Sequence, residues 1–260
     1  ARPSLEEMGG IEHRLFGTWD GADSCSAADW ASAARNEIAD VHAQGALPIL
    51  VGGTGLYMRT LLDGIAPVPP IDPAIRAEIR ALPVADAYAA LLQEDPERAA
   101  KLAPADAARI FRALEVVRST GKTLLEWQSR TEGGIGHDVT LTAAILLPDR
   151  DVLYARCDRR FGRMLHHGAF EEVEALLARS LDPSLPVMRA IGVSEIASAL
   201  HGEITLQEAE TRGAQATRNY AKRQYTWFRN QPPETWTRIT LNPFTSDQPQ
   251  EILLREFGLT

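Results

Sequence analysis

Lysine is almost missing: of 27 basic residues only Lys101, Lys122 and Lys222 are lysines. Nearly every positive charge is therefore an arginine, whose planar fork suits bidentate phosphate contacts. Cysteine is scarcer still. Cys25 and Cys157 stand far apart, too few for a secreted disulfide framework and without metal-site spacing. No Cys-x-x-Cys or His-x-x-x-His pair occurs, and His166-His167 is too closely spaced for two ligands on one helix face, which excludes structural zinc. No apolar run approaches the roughly eighteen residues of a bilayer span, and Ala1 to Gly10 shows no basic-then-apolar signal pattern. The reading is a cytoplasmic chain with no membrane part. A phosphate loop is absent too. Gly121-Lys122-Thr123 resembles the tail of G-x-x-x-x-G-K-[ST], but Val116 stands where the leading glycine belongs and the segment follows a helix rather than a strand. Gly121 reads as a helix stop.

What is present is globular. The 260 residues are 45% hydrophobic and 24% charged, enough to bury a real core, and they exclude collagen-like and wholly disordered classes. A net charge of −8 argues, as an average, against a nucleic-acid partner. The charge is not spread evenly. Residues 211–230 carry five bases and no acid, and residues 108–130 carry five bases against Glu115 and Glu126, so the remainder together carries −16. Two basic islands in an acidic chain are an electrostatic footprint for a polyanion.

Along the chain, Ser26 and Asp29 form a capping-box pattern that opens a helix ending near Gly45. Ala46 to Val51 is a continuous apolar run, predicting a strand buried on both faces of a parallel sheet. Gly52-Gly53-Thr54-Gly55 then turns into a second helix ending at Asp63-Gly64. Four prolines between Ala66 and Pro73 mark a stiff connector and a boundary. Helical patterns follow at 74–82, 84–93, 96–102 and 106–119. The strand signal resumes in the second half of Val139 to Leu147. Helices are predicted again at 151–165, 168–178 and 194–200, and from the Thr205-x-x-Glu208 box to Arg229. A last strand is expected over Trp236 to Leu241 and a terminal helix over Gln250 to Phe257. The organisation is α/β, with a first core part over 1–66, an all-helical insertion over 67–133 and a second core part over 134–260.

A strand that delivers glycines to a helix amino terminus leaves free N–H groups and the positive dipole end facing an anion, with the Thr54 hydroxyl alongside. The long helix adds a stripe: Arg218, Lys222, Tyr225 and Arg229 recur at spacings four, three and four, with no acid inside their own stretch. Arg109 and Arg112 lie one turn apart on another helix. Arg156, Arg159, Arg160 and Arg163 form a third group, with Asp158 among them. His13 and the loop acids Asp20, Asp23 and Asp29 read as packing or capping residues.

These residues fall into motifs. Leu50-Val-Gly-Gly-Thr-Gly-Leu-Tyr57, the proline-rich connector, Asp95-Pro96, Asp106-x-x-Arg109-Ile-x-Arg112-Ala-Leu-Glu-Val116, Arg160-Phe-x-x-Met-Leu165, Arg189-Ala-Ile-Gly192 and Thr217-Arg-x-Tyr-Ala-Lys-Arg-Gln-x-Thr-Trp-Phe-Arg229 follow in order over nearly the whole chain. The sequence closely resembles the tRNA dimethylallyltransferases. The resemblance implies a core like that of phosphate-loop nucleotide kinases, with a parallel sheet and a helical insertion. The implied enzyme moves a dimethylallyl group from dimethylallyl diphosphate to N6 of the adenosine 3′ to the anticodon, with Mg²⁺ on the diphosphate. It implies a monomer whose partner is the tRNA anticodon stem-loop. In family terms Thr54 lines the reaction channel at the target nucleotide. Arg218 and Arg223 are candidates for the diphosphate. Positions touching tRNA are Arg76; Ala108, Arg109, Ile110, Phe111 and Arg112; Arg189, Ala190, Ile191 and Gly192; and Lys222, Arg223, Gln224, Thr226, Trp227 and Arg229.

The sequence departs from that pattern in three places. Relatives begin with a strand, a phosphate loop and an Asp-Ser-x-Gln segment whose aspartate is the general base, and this chain opens beyond them, so the metal ligands fall outside it and an inactive fragment is expected. Glu12-His13-Arg14 stands where Pro-His-His is usual, and Val193 where Tyr is common. A nucleotide kinase of the same architecture and a catalytically dead RNA-binding remnant are the alternatives. Substituting Arg109→Ala or Lys222→Ala is expected to weaken tRNA binding and to flatten its salt dependence by roughly one counterion each, measured as the slope of log affinity against log salt.

Overall fold

A computed structural model describes residues 4–240 and 257–258. The chain divides into two compact units, one of residues 1–58 with 140–260 and the other of residues 59–139.

In the first unit, α1 (Ala27–Ala43) starts where the Ser26 hydroxyl accepts from the Asp29 N–H and the Asp29 carboxylate accepts from the Ser26 N–H, so two otherwise orphaned donors are satisfied. Gly45, at φ 69°, turns the chain out of it. The apolar run that follows is a correction to the sequence reading. Residues 46–51 form no strand, and Leu47, Ile49, Leu50 and Val51 are exposed, Val51 by 83%. A strand needs partners for its backbone groups. Among the described residues the sheet consists of β1 (Ala144–Leu146) and β2 (Thr237–Ile239), parallel, with Ala144 opposite Thr237 and Leu146 opposite Ile239. Neither pairs with 46–51.

Helices α8 (Arg150–Leu165), α9 (Ala169–Ala178), α10 (Val193–Leu200) and α11 (Leu206–Asn230) make up most of the rest. A capping box between Thr205 and Glu208 opens α11, as its sequence predicts. Phe161, Leu165, Ala169, Val173 and Ile196 form a buried cluster among these helices. The α8–α11 packing turns on Gly213, where an added Cβ would lie 1.9 Å from the Phe161 ring. Glycine inside a helix costs about 0.5–1 kcal/mol relative to alanine, so its presence here marks a close approach of side chain to backbone. Arg218 of α11 bridges to Asp158 of α8, Nη1 to Oδ1 at 2.5 Å.

The second unit takes the end of α2 (Gly55–Asp63) and then α3 (Pro73–Ala81), α4 (Val84–Glu94), α5 (Pro96–Ala99), α6 (Ala107–Thr120) and α7 (Leu124–Gln128). Asp72, Asp95 and Asp106 each accept from a first-turn N–H of the helix they precede. The core is Ile79, Ala87, Leu91, Ala99, Ile110, Ala113 and Leu114. Gly121 is a left-handed C-cap at φ 68°, and Thr123 opens α7 by a capping box with Glu126, so Gly121-Lys122-Thr123 joins two helices. Ile65 and Glu132 exchange both backbone hydrogen bonds at 3.0 Å, which ties the two ends of the unit together. The terminal helix expected over Gln250 to Phe257 lies outside the described residues except for Phe257.

Gly213→Ala should lower the melting temperature: overpacking against Phe161, at about 1–3 kcal/mol, outweighs the gain in helix propensity. Thermal unfolding of Gly213→Ala beside Gly213→Ala/Phe161→Leu checks the cause, since the double variant should recover much of the loss.

Candidate functional site

The glycine turn is held against the second half of α11. The Gln224 side-chain amide donates to the Gly53 carbonyl at 2.8 Å, and the Trp227 indole lies over Gly55, where a Cβ would meet ring carbons at 2.3 Å. Only a residue without a side chain admits the ring. Thr54 precedes α2, and its carbonyl accepts from the N–H groups of Tyr57 and Met58. Its side chain is exposed and hydrogen-bonded to no described residue, and Leu56 is exposed beside it, whereas Gly55 is buried against the Trp227 ring. The turn thus presents the Thr54 hydroxyl at the start of α2.

Aromatic groups gather beside it. The Tyr57 ring lies 5.1 Å from Trp30 of α1, and its hydroxyl donates to the Cys25 carbonyl at 3.3 Å. Burial, then the neighbourhood of Cys25, Tyr220 and Asp29, pushes the Tyr57 phenol above its ordinary value, so it stays a donor near neutral pH. Trp227 meets Phe228 edge-on at 4.8 Å, and the Arg223 guanidinium lies 5.5 Å over Tyr220. Lys222, Arg223, Thr226, Trp227, Asn230 and Gln231 line a shallow, open hollow of about 570 Å³ along one face of α11. Flat rings beside cations suit a nucleobase and its phosphate.

The cationic stripe is not uniform. Arg218 has no acid within α11, yet Asp158 of α8 takes its Nη1, and Gln215 takes its Nη2 at 2.6 Å. It therefore ties two helices together, whereas Arg223, Lys222 and Arg229 are exposed and form no ion pair with a described residue. Of the two diphosphate candidates, Arg223 is the one with an open guanidinium. Arg189 ends a 3-10 turn (Pro186–Arg189), and Arg189, Ala190 and Ile191 are exposed. Gly192 is buried at φ 101° beside Phe161 and has no side chain to offer, so its part is to shape the entry into α10.

In the helical unit, Ala108 and Arg109 are exposed on the first turn of α6, and Asp106 accepts from the Arg109 guanidinium. That neutralisation makes Lys222 the cleaner probe of a salt slope. Ile110 is a correction: it is fully buried in the core, so its side chain packs the unit and cannot reach a ligand. The period of α6 places it there, three residues before Ala113 and four before Leu114. Phe111 is half-buried against the same core. Arg76 is exposed and lies 3.9 Å from a Glu115 oxygen. Among the described residues no three His, Cys, Asp or Glu side chains converge as a metal cage requires. The described residues thus form no all-protein cage for Mg²⁺. No described helix is long and apolar enough to cross a membrane. Sequence reasoning missed Trp30, Tyr57 and Tyr220 as neighbours of the turn; the only signal was the Thr-Gly-Leu-Tyr spacing, which places Tyr57 in the first turn of α2.

With that geometry in place, comparison with known proteins settles the class. A family model described as IPP transferase matches residues 1–231. The chain is 67% identical over 239 residues to the tRNA dimethylallyltransferase of Erythrobacter litoralis, covering 92% of this chain and 75% of that one. It is 66% identical to the tRNA dimethylallyltransferase of Novosphingobium aromaticivorans, over 92% of this chain and 85% of the relative. The crystal structure of the tRNA isopentenylpyrophosphate transferase of Bacillus halodurans superposes with a TM-score of 0.66 at 31% identity, covering 98% of this chain and 80% of that chain. The protein is an α/β transferase with a small parallel sheet and many helices. It belongs to the IPP transferase family. The nucleotide-kinase alternative gives way to this match.

Gly55→Ala should displace the Trp227 ring and lower the melting temperature by several degrees. Gly53→Ala meets only the movable amide of Gln224 and should cost about 1 kcal/mol, the worth of one hydrogen bond. Equal losses from the two would show that Trp227 does not depend on the glycine beneath it.

Proposed function

We propose that this protein transfers the dimethylallyl group of dimethylallyl diphosphate to N6 of the adenosine 3′-adjacent to the anticodon of tRNA, in the cytoplasm and as a monomer. The observation that carries the reading is the exposed Thr54 turn, seated on Gln224 and Trp227 of α11 next to the open cations Lys222 and Arg223. Family membership supports the prenyl donor, and the basic islands support the RNA.

The chemistry asks for what the turn and hollow hold. The bond between the allylic carbon and the diphosphate oxygen breaks, and the oxygen keeps the electron pair. N6 of adenosine forms the new bond to that carbon and releases a proton, which the departing diphosphate takes up. Negative charge grows on the leaving diphosphate, where guanidinium groups lower the barrier because they are already oriented. In this reading Arg223 contacts the diphosphate directly, and Arg218, tied to Asp158, contributes its charge from behind. The adenosine must leave its stack to expose N6. Trp227 offers a face on which the extruded base or its neighbour stacks, and the Thr54 hydroxyl contacts the target nucleotide. The helical unit, through Arg76, Arg109 and Arg112, holds the anticodon arm.

With isotope-labelled dimethylallyl diphosphate, the protein should label a tRNA that carries adenosine after its anticodon and leave one with guanosine there unlabelled. Equal labelling of both, or of neither, overturns the assignment. Thr54→Ala should lower kcat more than it raises KM, because a group beside the reacting nucleotide acts mainly in the transition state. A rise in KM alone would make Thr54 a simple binding residue.

A further inference from the structure

Arg76 and Arg80 lie one turn apart on α3, against α6. Beside them, Glu115 of α6 is buried, with 1% of its side chain exposed. The Arg80 Nε donates to one Glu115 oxygen at 2.8 Å, and the Arg76 Nε lies 3.9 Å from the other. Arg112 is one turn before Glu115 on the same helix. Burial holds its guanidinium below the ordinary arginine value; Glu115 pulls it up, and Arg76 and Arg80 push it down further. Two cations therefore face one carboxylate, and a third, Arg112, stands one turn away on the same helix. The other nearby acids are engaged elsewhere, since Glu78 and Glu94 both pair with Arg118.

A buried carboxylate needs one good partner, and Arg80 supplies it. Two further guanidiniums within repulsive range are surplus to that requirement, and structure alone gives no reason to keep them together. Arg76 and Arg80 keep 49% and 60% of their side chains exposed, so their forks open to solvent. Because Arg80 binds Glu115 through Nε, both of its Nη groups remain unspent. A carboxylate at the back and two free nitrogens at the front is the arrangement that aims an arginine at an anion.

We propose that Arg76, Arg80 and Arg112 form a single seat for an RNA backbone phosphate, with Glu115 as the positioning residue that fixes the Arg80 fork. The proposal rests on the tRNA reading above and adds Arg80 and Glu115 to the contacts the resemblance implies. The phosphate cancels the mutual repulsion of the three cations, so the site carries affinity without reading sequence. Unlike the exposed Arg109, which has Asp106 as its own counterion, this cluster lacks enough negative charge to balance it.

The test uses the full chain and a synthetic RNA hairpin with adenosine 3′ of its anticodon triplet, titrated over a salt series. Arg80→Gln/Glu115→Gln leaves the net charge unchanged and strands no buried carboxylate. It should weaken binding about tenfold and make the salt slope shallower by about one counterion. Arg112→Gln should do the same, and decides the matter if the double variant does not fold. Wild-type affinity and slope in these variants overturn the seat. Glu115→Ala makes the protein more positive, so charge alone predicts tighter binding. Positioning predicts weaker binding, rescued by Glu115→Gln, whose amide oxygen still accepts from Arg80. Tighter binding by Glu115→Ala overturns the role given to Glu115. If Lys222→Ala flattens the slope and neither seat variant does, the seat alone falls. If the unaltered protein neither binds the hairpin nor labels tRNA, the reading beneath it falls as well.

Discussion

The proposed active surface of this protein depends on α11 lying closer to its neighbours than side chains normally allow. At one end Gly213 admits the Phe161 ring, and at the other the Trp227 indole covers Gly55. Both contacts put an aromatic face on bare backbone. Dispersion between such surfaces is weak per atom pair and large in sum, and it vanishes quickly with a gap of an ångström. The helix is therefore fixed along its length, and with it the position of Lys222 and Arg223 relative to the Thr54 turn. A bond from Gln224 to the Gly53 carbonyl fixes the register.

The two basic islands solve one electrostatic problem in different ways. On α11 the cations are spread along an exposed face, where among the described residues Arg218 pairs with Asp158 and Arg212 with Glu208. On α3 and α6 they crowd around the buried Glu115. A spread of charge tracks a flexible backbone and tolerates displacement. A crowded cluster is costly until an anion arrives, so it rewards one position over its neighbours. With net charge −8 the chain is acidic on average, so a polyanion would be drawn to its basic islands.

Helices were legible from the sequence because their signals are local. Ser26, Thr205 and Gly121 mark ends that the structure reproduces within a residue or two, and the buried face of α6 follows its period. The run at 46–51 was misread for the opposite reason. An apolar stretch reports what a segment would bury, while a strand is defined by a partner whose place in the sequence is arbitrary. The same limit hid the Arg218–Asp158 pair, separated by sixty positions, and the aromatic cluster at the turn. Family motifs named Ile110 because it lies between Arg109 and Arg112, but a helix turns 100° per residue and buries one position beside another that it displays. The glycine turn was placed correctly; that its glycines serve Trp227 and Gln224 could be seen only in three dimensions.

The uncovered segment from Leu47 to Val51 has a consequence for handling the protein in solution. A segment outside any helix or strand with four large exposed apolar side chains can serve as a template for pairing with another chain. Pro48 interrupts it, because an imide nitrogen cannot continue a ladder of hydrogen bonds. That one residue limits how far a ladder built on this stretch could run.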